Sequence, residues 1–404
     1  MSSQEQSGQA PHVPGRTLVL TFAVACGLIV ANIYYAQPLI ALIAPELGLH
    51  TGLAGVIVAL TQLGFGAGLL LVVPLGDRFE NRGLVLLTLS ALLVALIGVA
   101  LSDSMLTFLV ASFAVGVSAV ATQILIPFVS QLVPAASRGS VIGVVVGGLV
   151  AGIMLARPFA SYIAALFGWR TVFALAACFI LILIVTLRLA LPQRWPAQHL
   201  GYPAILRSLP GLVANTPPLR RRAFYQGMLF AAFNMFWTAS PLLLAQQFDL
   251  GHKGIALFTL AAAAGALSAP LAGRLADRGL TRPATGYAIG AVVLALLLSL
   301  LAAQLHSIAV LVIAALVLDA AIQVNQVLSL RCIYMLAPEL RGRLTGLYMA
   351  FVFACGAVGS SAAAALYVFG SWTALAIAGA AFAAAALLFY VTEFRAPRAV
   401  SSPT

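Results

Sequence analysis

Among the 404 residues of this chain, one carboxylate lies deep inside an apolar run. It is Asp319, followed by Gln323 and Gln326 four and seven positions on. That spacing places the three side chains on one face of a helix. A carboxyl in apolar surroundings can load and release a proton as water access changes, so Asp319 is the candidate proton carrier. The plainer alternative is a hydrogen-bonded Asp that fixes helix packing. Arg157 is a cation inside another apolar run. It can attract an anionic group, pair with Asp319, or extend its charge to lipid headgroups. Ionisable groups in a bilayer are costly unless they face a cavity or a partner. Asn32, Tyr35, Gln37, Gln62, Gln123, Gln226, Asn234 and Trp237 also interrupt apolar runs. Amides with aromatics suit a ligand that is partly apolar and carries a few hydrogen-bonding groups. For each of these residues an interhelical hydrogen bond or a packing role is the alternative.

The elements that position these residues follow from composition. Hydrophobic residues make up 62% of the chain and charged residues 8%, against about 25% charged in a soluble domain. Mean hydropathy is +1.08. Apolar runs of about 20 residues recur, each long enough to cross a bilayer as a helix. The expected spans are 17–43, 52–73, 84–101, 106–132, 139–164, 171–190, 222–246, 254–275, 284–303, 307–336, 343–367 and 372–392. The expected fold is therefore an all-α integral membrane protein, with twelve transmembrane helices in two pseudo-symmetric six-helix bundles. The expected divisions are a disordered tail (1–16), a first bundle (17–190), a linker (191–221), a second bundle (222–392) and a second tail (393–404).

Net charge is +11. The cations fall between apolar runs and form no single basic face, which argues against nucleic acid. They concentrate in alternate loops, and that pattern places both termini and the linker in the cytoplasm. A basic linker there suits anionic lipid headgroups. The four cysteines and five histidines have no metal-ligand or disulfide spacing, so neither metal nor cofactor is expected. A membrane-embedded enzyme would need clustered catalytic groups, and none is legible. A sensor is the remaining rival class.

The chain also repeats itself. Arg138-Gly139 with Gly143 recurs 203 positions on as Arg341-Gly342 with Gly346. Gln123 maps onto Gln326 and Trp169 onto Trp372, while Gly76-Asp77-Arg78 returns as Ala276-Asp277-Arg278. Two similar helical halves place a pathway between themselves. An Asp at a helix end can bind the N-terminus of a neighbouring helix or pair with Arg. Asp77, Arg78, Arg82, Asp277, Arg278, Arg138 and Arg341 are thus candidates for a cytoplasmic gate. Gly143, Gly147, Gly148 and Gly152 lie on one run, where small side chains let helices approach closely.

With these residues the chain resembles the major facilitator superfamily over essentially its whole length. The loop Gly273-Arg274-Leu275-Ala276-Asp277-Arg278 fits the family's loop signature, whereas Leu75-Gly76-Asp77-Arg78 is a degraded copy with Val73 and Glu80 in place of glycines. The glycines from Gly143 to Gly152, followed by Ala156-Arg157-Pro158, resemble the antiporter signature of helix 5. Ser112 stands where related antiporters carry an Arg in helix 4. The segments 32–38 and 233–237 resemble a bacterial drug and sugar efflux branch. The resemblance implies a cavity lined by helices 1, 4, 7 and 10, a small-molecule substrate with protons as coupling ion, and export by antiport. It also implies a monomer in the bacterial inner membrane. A facilitator or importer with the same fold is the alternative.

Overall fold

The computed structural model describes residues 16–195, 201–336 and 340–394. The outer parts of both tails (1–15 and 395–404), linker positions 196–200 and the Asp77 side chain lie outside the described residues. Every regular element among the described residues is helical. A helix satisfies its own backbone polar groups, which lipid cannot do.

The first span is interrupted. Helix α1 (Arg16–Ala31) leads through a turn and a 3-10 segment (Gln37–Leu39) into α2 (Ile40–Glu46). Helices α3 (Gly55–Leu71) and α4 (Asn81–Ala100) follow. The fourth span divides into α5 (Met105–Ser118) and α6 (Ala121–Leu132). Helices α7 (Ala135–Phe167) and α8 (Trp169–Ala190) complete the first half. In the second half α10 (Pro217–Gln246) is continuous. The eighth span is α11 (His252–Ala263) and α12 (Ala269–Asp277), joined by a 3-10 turn (Ala264–Ser268). Helices α13 (Thr281–Gln304), α14 (Ile308–Tyr334) and α15 (Arg341–Val391) end the bundle. Helix α15 holds two spans, because Ser371 at φ 63° breaks it. Nine stretches are long and apolar enough to span on length and composition. The doubled α15 and the interrupted first and eighth spans complete the twelve.

The linker differs from a simple polar stretch. Residues Tyr202–Asn215 form helix α9, and the Tyr202 hydroxyl donates to the Leu71 carbonyl at 2.8 Å. Helix α10 begins at Pro217 and not at 222. Proline suits a first helical turn, where its missing N–H has no intrahelical partner to lose.

Lipid provides no hydrophobic drive between helices, so close packing of small residues holds the bundle. Gly148 and Gly152 of α7 lie against the backbone of Ala23 and Gly27 on α1. Gly143 and Gly147 face open space, so two of the four expected packing glycines do not pack. The halves meet where α3 packs on α15 and α7 on α11. At the end away from the Arg-rich loops, Gly55 lies on the Ser360–Ser361 backbone. There His50 also stacks on Phe369 with ring centroids 6.5 Å apart. At the basic end a cavity of about 710 Å³ lies between the halves. Its lining includes Leu70, Gln123, Phe128, Tyr334, Arg343 and Leu347.

Candidate functional site

Arg157 is 4% exposed, so its charge does not run out to the headgroups. Its Nε donates to Gln37 Oε1 at 2.8 Å. Its guanidinium carbon lies 4.4 Å from the Trp237 ring centroid, 5.2 Å from Phe233 and 5.4 Å from Tyr34. The negative faces of these rings take the place of water around the cation. One arm, Nη2, is buried with no protein partner.

Asp319 lies at the edge of the same indole. It is 8% exposed and accepts a hydrogen bond from Trp237 Nε1 at 2.9 Å. Direct pairing of Arg157 with Asp319, one of the three alternatives for this cation, is not made: among the described residues no ion pair within 4.0 Å joins them. Trp237 mediates instead, with its face to the cation of the first half and its edge to the carboxylate of the second.

An amide belt surrounds this stack. Gln37 Nε2 donates to Asn234 Oδ1 at 3.3 Å and to Thr238 Oγ1 at 3.5 Å. Gln62 Nε2 donates to Asn234 Oδ1 at 2.5 Å. Thr238 Oγ1 donates to Ser360 Oγ at 3.3 Å. The belt therefore ties the first span and α3 to α10 across the halves. Asn32 and Asn234 each return an Nδ2 bond to the carbonyl four residues earlier, Leu28 at 2.8 Å and Phe230 at 2.9 Å. Nearer the basic end Gln226 accepts from Asn325 at 2.6 Å and donates to Gln326 at 3.4 Å.

An aromatic layer lies beside the belt on its basic-end side. Phe65 of α3 meets Phe353 of α15 at 4.6 Å between centroids, and Phe353 meets Phe230 of α10 at 5.1 Å. Phe230 precedes Trp237 by seven residues, roughly 10 Å along the helix.

Not every candidate joins the site. Tyr35 packs on Phe159 at 5.8 Å. Gln123 lines the basic-end cavity. Gln323 is half-buried on α14 and makes none of the described hydrogen bonds. Tyr34, Phe233, Thr238, Ser360 and the aromatic layer were not singled out from sequence, because such residues inside apolar runs look like ordinary packing. One trace was legible: Asn32-Ile33-Tyr34-Tyr35 recurs 202 positions on as Asn234-Met235-Phe236-Trp237.

The gate candidates work within each half in this conformation. Arg82 Nη1 donates to the Leu191 carbonyl at 3.1 Å. Asp277 pairs with Arg331 at 2.6 Å, and Arg341 Nε donates to the Tyr334 carbonyl at 2.7 Å. Arg78 lies 5.8 Å from the Phe79 ring. Arg138 and Arg278 are exposed. Among the described residues none of these bridges the halves, as the cavity at this end requires. Glu80, which stands where the resembled signature has Gly, caps α4 by accepting from Arg82 N at 2.8 Å and Gly83 N at 2.6 Å. It also accepts from Arg194 N at 3.2 Å.

Two helical halves that enclose a buried cation, a buried carboxylate and an amide belt between them make a membrane transporter, not an enzyme. The model of the Major Facilitator Superfamily matches residues 20–278 and 222–404, and the chain belongs to that family. It is 39% identical over 395 residues to the uncharacterized transporter YgaY of Escherichia coli O157:H7, covering 96% of this chain and 99% of that one. Its fold is similar to a bacterial homologue of the human lysosomal transporter Spinster in an inward-facing, unoccupied conformation. That match has a TM-score of 0.71 and 14% identity, over 94% of this chain and 96% of the other. It is also similar to a D-xylose–proton symporter, with a TM-score of 0.73 and 15% identity, over 92% and 96% of the two chains.

Proposed function

We propose that the chain is a proton-coupled secondary transporter that moves a small organic molecule by alternating access, with Asp319 as the proton site and the Arg157 cage as the substrate site. The observation that carries this reading is the shared indole: Trp237 bonds Asp319 through Nε1 and covers Arg157 with its face. A ligand drives a conformational change only through differential contacts in the two states. A proton on Asp319, or a ligand at Arg157, acts on the same contact between the halves. The Arg-rich loops support a basic end facing the cytoplasm of a bacterial cell, and on this reading the basic-end cavity is a cytoplasmic vestibule. Export by antiport is the direction implied by the resemblance to the efflux branch.

The test is purified protein in vesicles under an imposed pH gradient, scored against a substrate panel. Asp319→Asn is expected to lose uphill transport and to keep exchange at equilibrium. Uphill transport by that variant at the wild-type rate would remove Asp319 from coupling. One observation favours a second reading, uptake by symport. The free arm of Arg157 suits a negatively charged substrate, and such a substrate assists a proton instead of displacing it.

A further inference from the structure

We propose that the transported molecule carries an anionic group that binds the free arm of Arg157 and travels together with the proton on Asp319. This rests on Asp319 being the proton site, and it decides between the two directions above.

The recognition chemistry starts at the guanidinium. Nε is held by Gln37 and three ring faces surround the group, while Nη2 is buried without a protein partner. A buried charged donor left unpaired is strongly unfavourable. A carboxylate offers it a charge-assisted acceptor in the geometry a guanidinium favours. The walls that would hold the rest of the molecule are the rings of Tyr34, Phe233 and Trp237. An aromatic carboxylate meets both requirements.

The approach has the same polarity. The cavity at the basic end is lined by Arg341, Arg343 and Arg331, of which Arg331 is paired with Asp277, and no Asp or Glu is among its described lining residues. A cleft lined by one sign of charge concentrates ions of the other sign. Toward the cage from there lie the aromatic contacts of Phe65, Phe353 and Phe230.

The sign of the coupling follows from what faces Asp319. Helix α10 contributes Trp237, and the turn before α12 contributes Gly265, whose added Cβ would lie 2.8 Å from Asp319 Cβ. The charged group that shares Trp237 with Asp319 is Arg157 of α7, and Tyr34 of the first span packs on Arg157. Bare, Arg157 carries a positive charge that opposes the entry of a proton beside it. An anion on Arg157 cancels that charge, so anion and proton strengthen each other's binding, and linkage makes the effect reciprocal. For two charges that both touch one indole this amounts to on the order of a tenfold change in affinity. Antiport requires the two ligands to exclude one another, so an anionic substrate is a symported one.

The experiment uses the purified full-length chain and follows quenching of tryptophan fluorescence by benzoate, phenylacetate and indole-3-acetate. Benzamide and benzylamine serve as the neutral and cationic counterparts. Saturable quenching by a carboxylate is expected, on the order of tenfold tighter at pH 5.5 than at pH 8, with weak or no response to the amide and the amine. Arg157→Gln is expected to abolish it and Arg157→Lys to retain part. Because Arg157→Gln could fail to fold, Asp319→Asn is measured as well, and it is expected to bind the carboxylate with the pH dependence gone. No saturable quenching by any of the three carboxylates at millimolar concentration overturns the proposal. Equal binding of benzylamine, or carboxylate binding that weakens on acidification, overturns it too. Failure of the coupling reading is seen separately, as uphill transport retained by Asp319→Asn in vesicles.

Discussion

Replacing Gly148 and Gly152 together by Ala forces α1 away from α7, and the size of the effect can be worked from the crossing itself. A Cβ on Gly152 would lie 2.6 Å from the Gly27 carbonyl carbon, and one on Gly148 would lie 2.6 Å from the Ala23 carbonyl carbon and 2.7 Å from its Cα. Ordinary carbon contacts are about 3.5–4.0 Å, so the helices must part by about 1 Å. The atoms struck are backbone and cannot rotate aside as a side chain does. Overpacking of this kind costs about 1–3 kcal/mol per site. The gain from placing Ala in a helix offsets about 0.5–1 kcal/mol of that. Gly143→Ala with Gly147→Ala is the control on the same helix. Nothing lies within 4 Å of either added Cβ, so only the helix gain remains. At about 2–4 °C per kcal/mol for a unit the size of one six-helix half, the first pair lowers Tm by on the order of 10 °C. The second pair raises Tm by about 2–8 °C. Thermal unfolding of the detergent-purified variants, followed by intrinsic fluorescence, reads both. Equal shifts for the two pairs would refute the assignment of the tight crossing to Gly148 and Gly152.

Three further outcomes are expected. Glu80→Gly restores the residue of the resembled loop signature yet removes the cap of α4 and the bond to Arg194. A Tm lowered as for the loss of a few tenths of a kcal/mol from the cap and about 1 kcal/mol from the bond to Arg194 is expected, and an unchanged Tm would mean that both are idle. Glu46 accepts from Trp169 Nε1 at 2.5 Å and pairs with Arg170, and these partners hold its carboxyl below the usual carboxylate range. A depressed pKa stabilises the fold above the unfolded value and loses that contribution as pH falls through the folded value. Wild-type Tm therefore falls on acidification below about pH 4, and Glu46→Gln flattens the curve in that window alone. Phe353→Ala thins the aromatic layer, so a Cys introduced at Thr238 reacts with a maleimide added to the basic side on the order of tenfold faster, as expected for a site released from burial by local opening. An unchanged rate would place the barrier elsewhere.

The fold was legible because lipid leaves so few choices: a run of about 20 apolar residues has to be a helix, and the polar stretch 191–221 divided the runs six and six. Charge was legible for the same reason, since Asp319 and Arg157 cannot be idle in hydrocarbon. Their relation was not. Linear spacing says nothing of which side chain stands between two helices, and Trp237, singled out only as a cavity aromatic, proved to be the link. The glycine reading failed in a related way. Periodicity placed Gly143, Gly147, Gly148 and Gly152 on one helix, but only a neighbour's position separates a glycine that is needed from one that faces open space. Thr238 and Ser360 were missed because a hydroxyl in an apolar helix usually bonds its own backbone, as Thr88 does to Leu84 at 3.0 Å.

The two halves also explain each other at the site. In the first half α3 crosses α5 glycine against glycine: an added Cβ on Gly116 would lie 2.7 Å from Phe65 N and 3.0 Å from the Gly64 carbonyl carbon. The equivalent crossing, 201 to 203 positions on, pairs Gly265 with Asp319. Asp319 thus stands where its mate has no side chain at all. Helix α3 passes its crossing unbroken, whereas the eighth span changes to a 3-10 turn, Ala264–Ser268, at the equivalent point. There Ser268 Oγ donates to the Ala320 carbonyl at 3.1 Å. A crossing fitted to two glycines cannot take a carboxylate without one backbone giving way, and the one that gives way is opposite Asp319. The broken eighth span and the buried carboxylate are then one feature. The symmetry of the repeat is lost at the point where the second half carries a charge that the first half lacks.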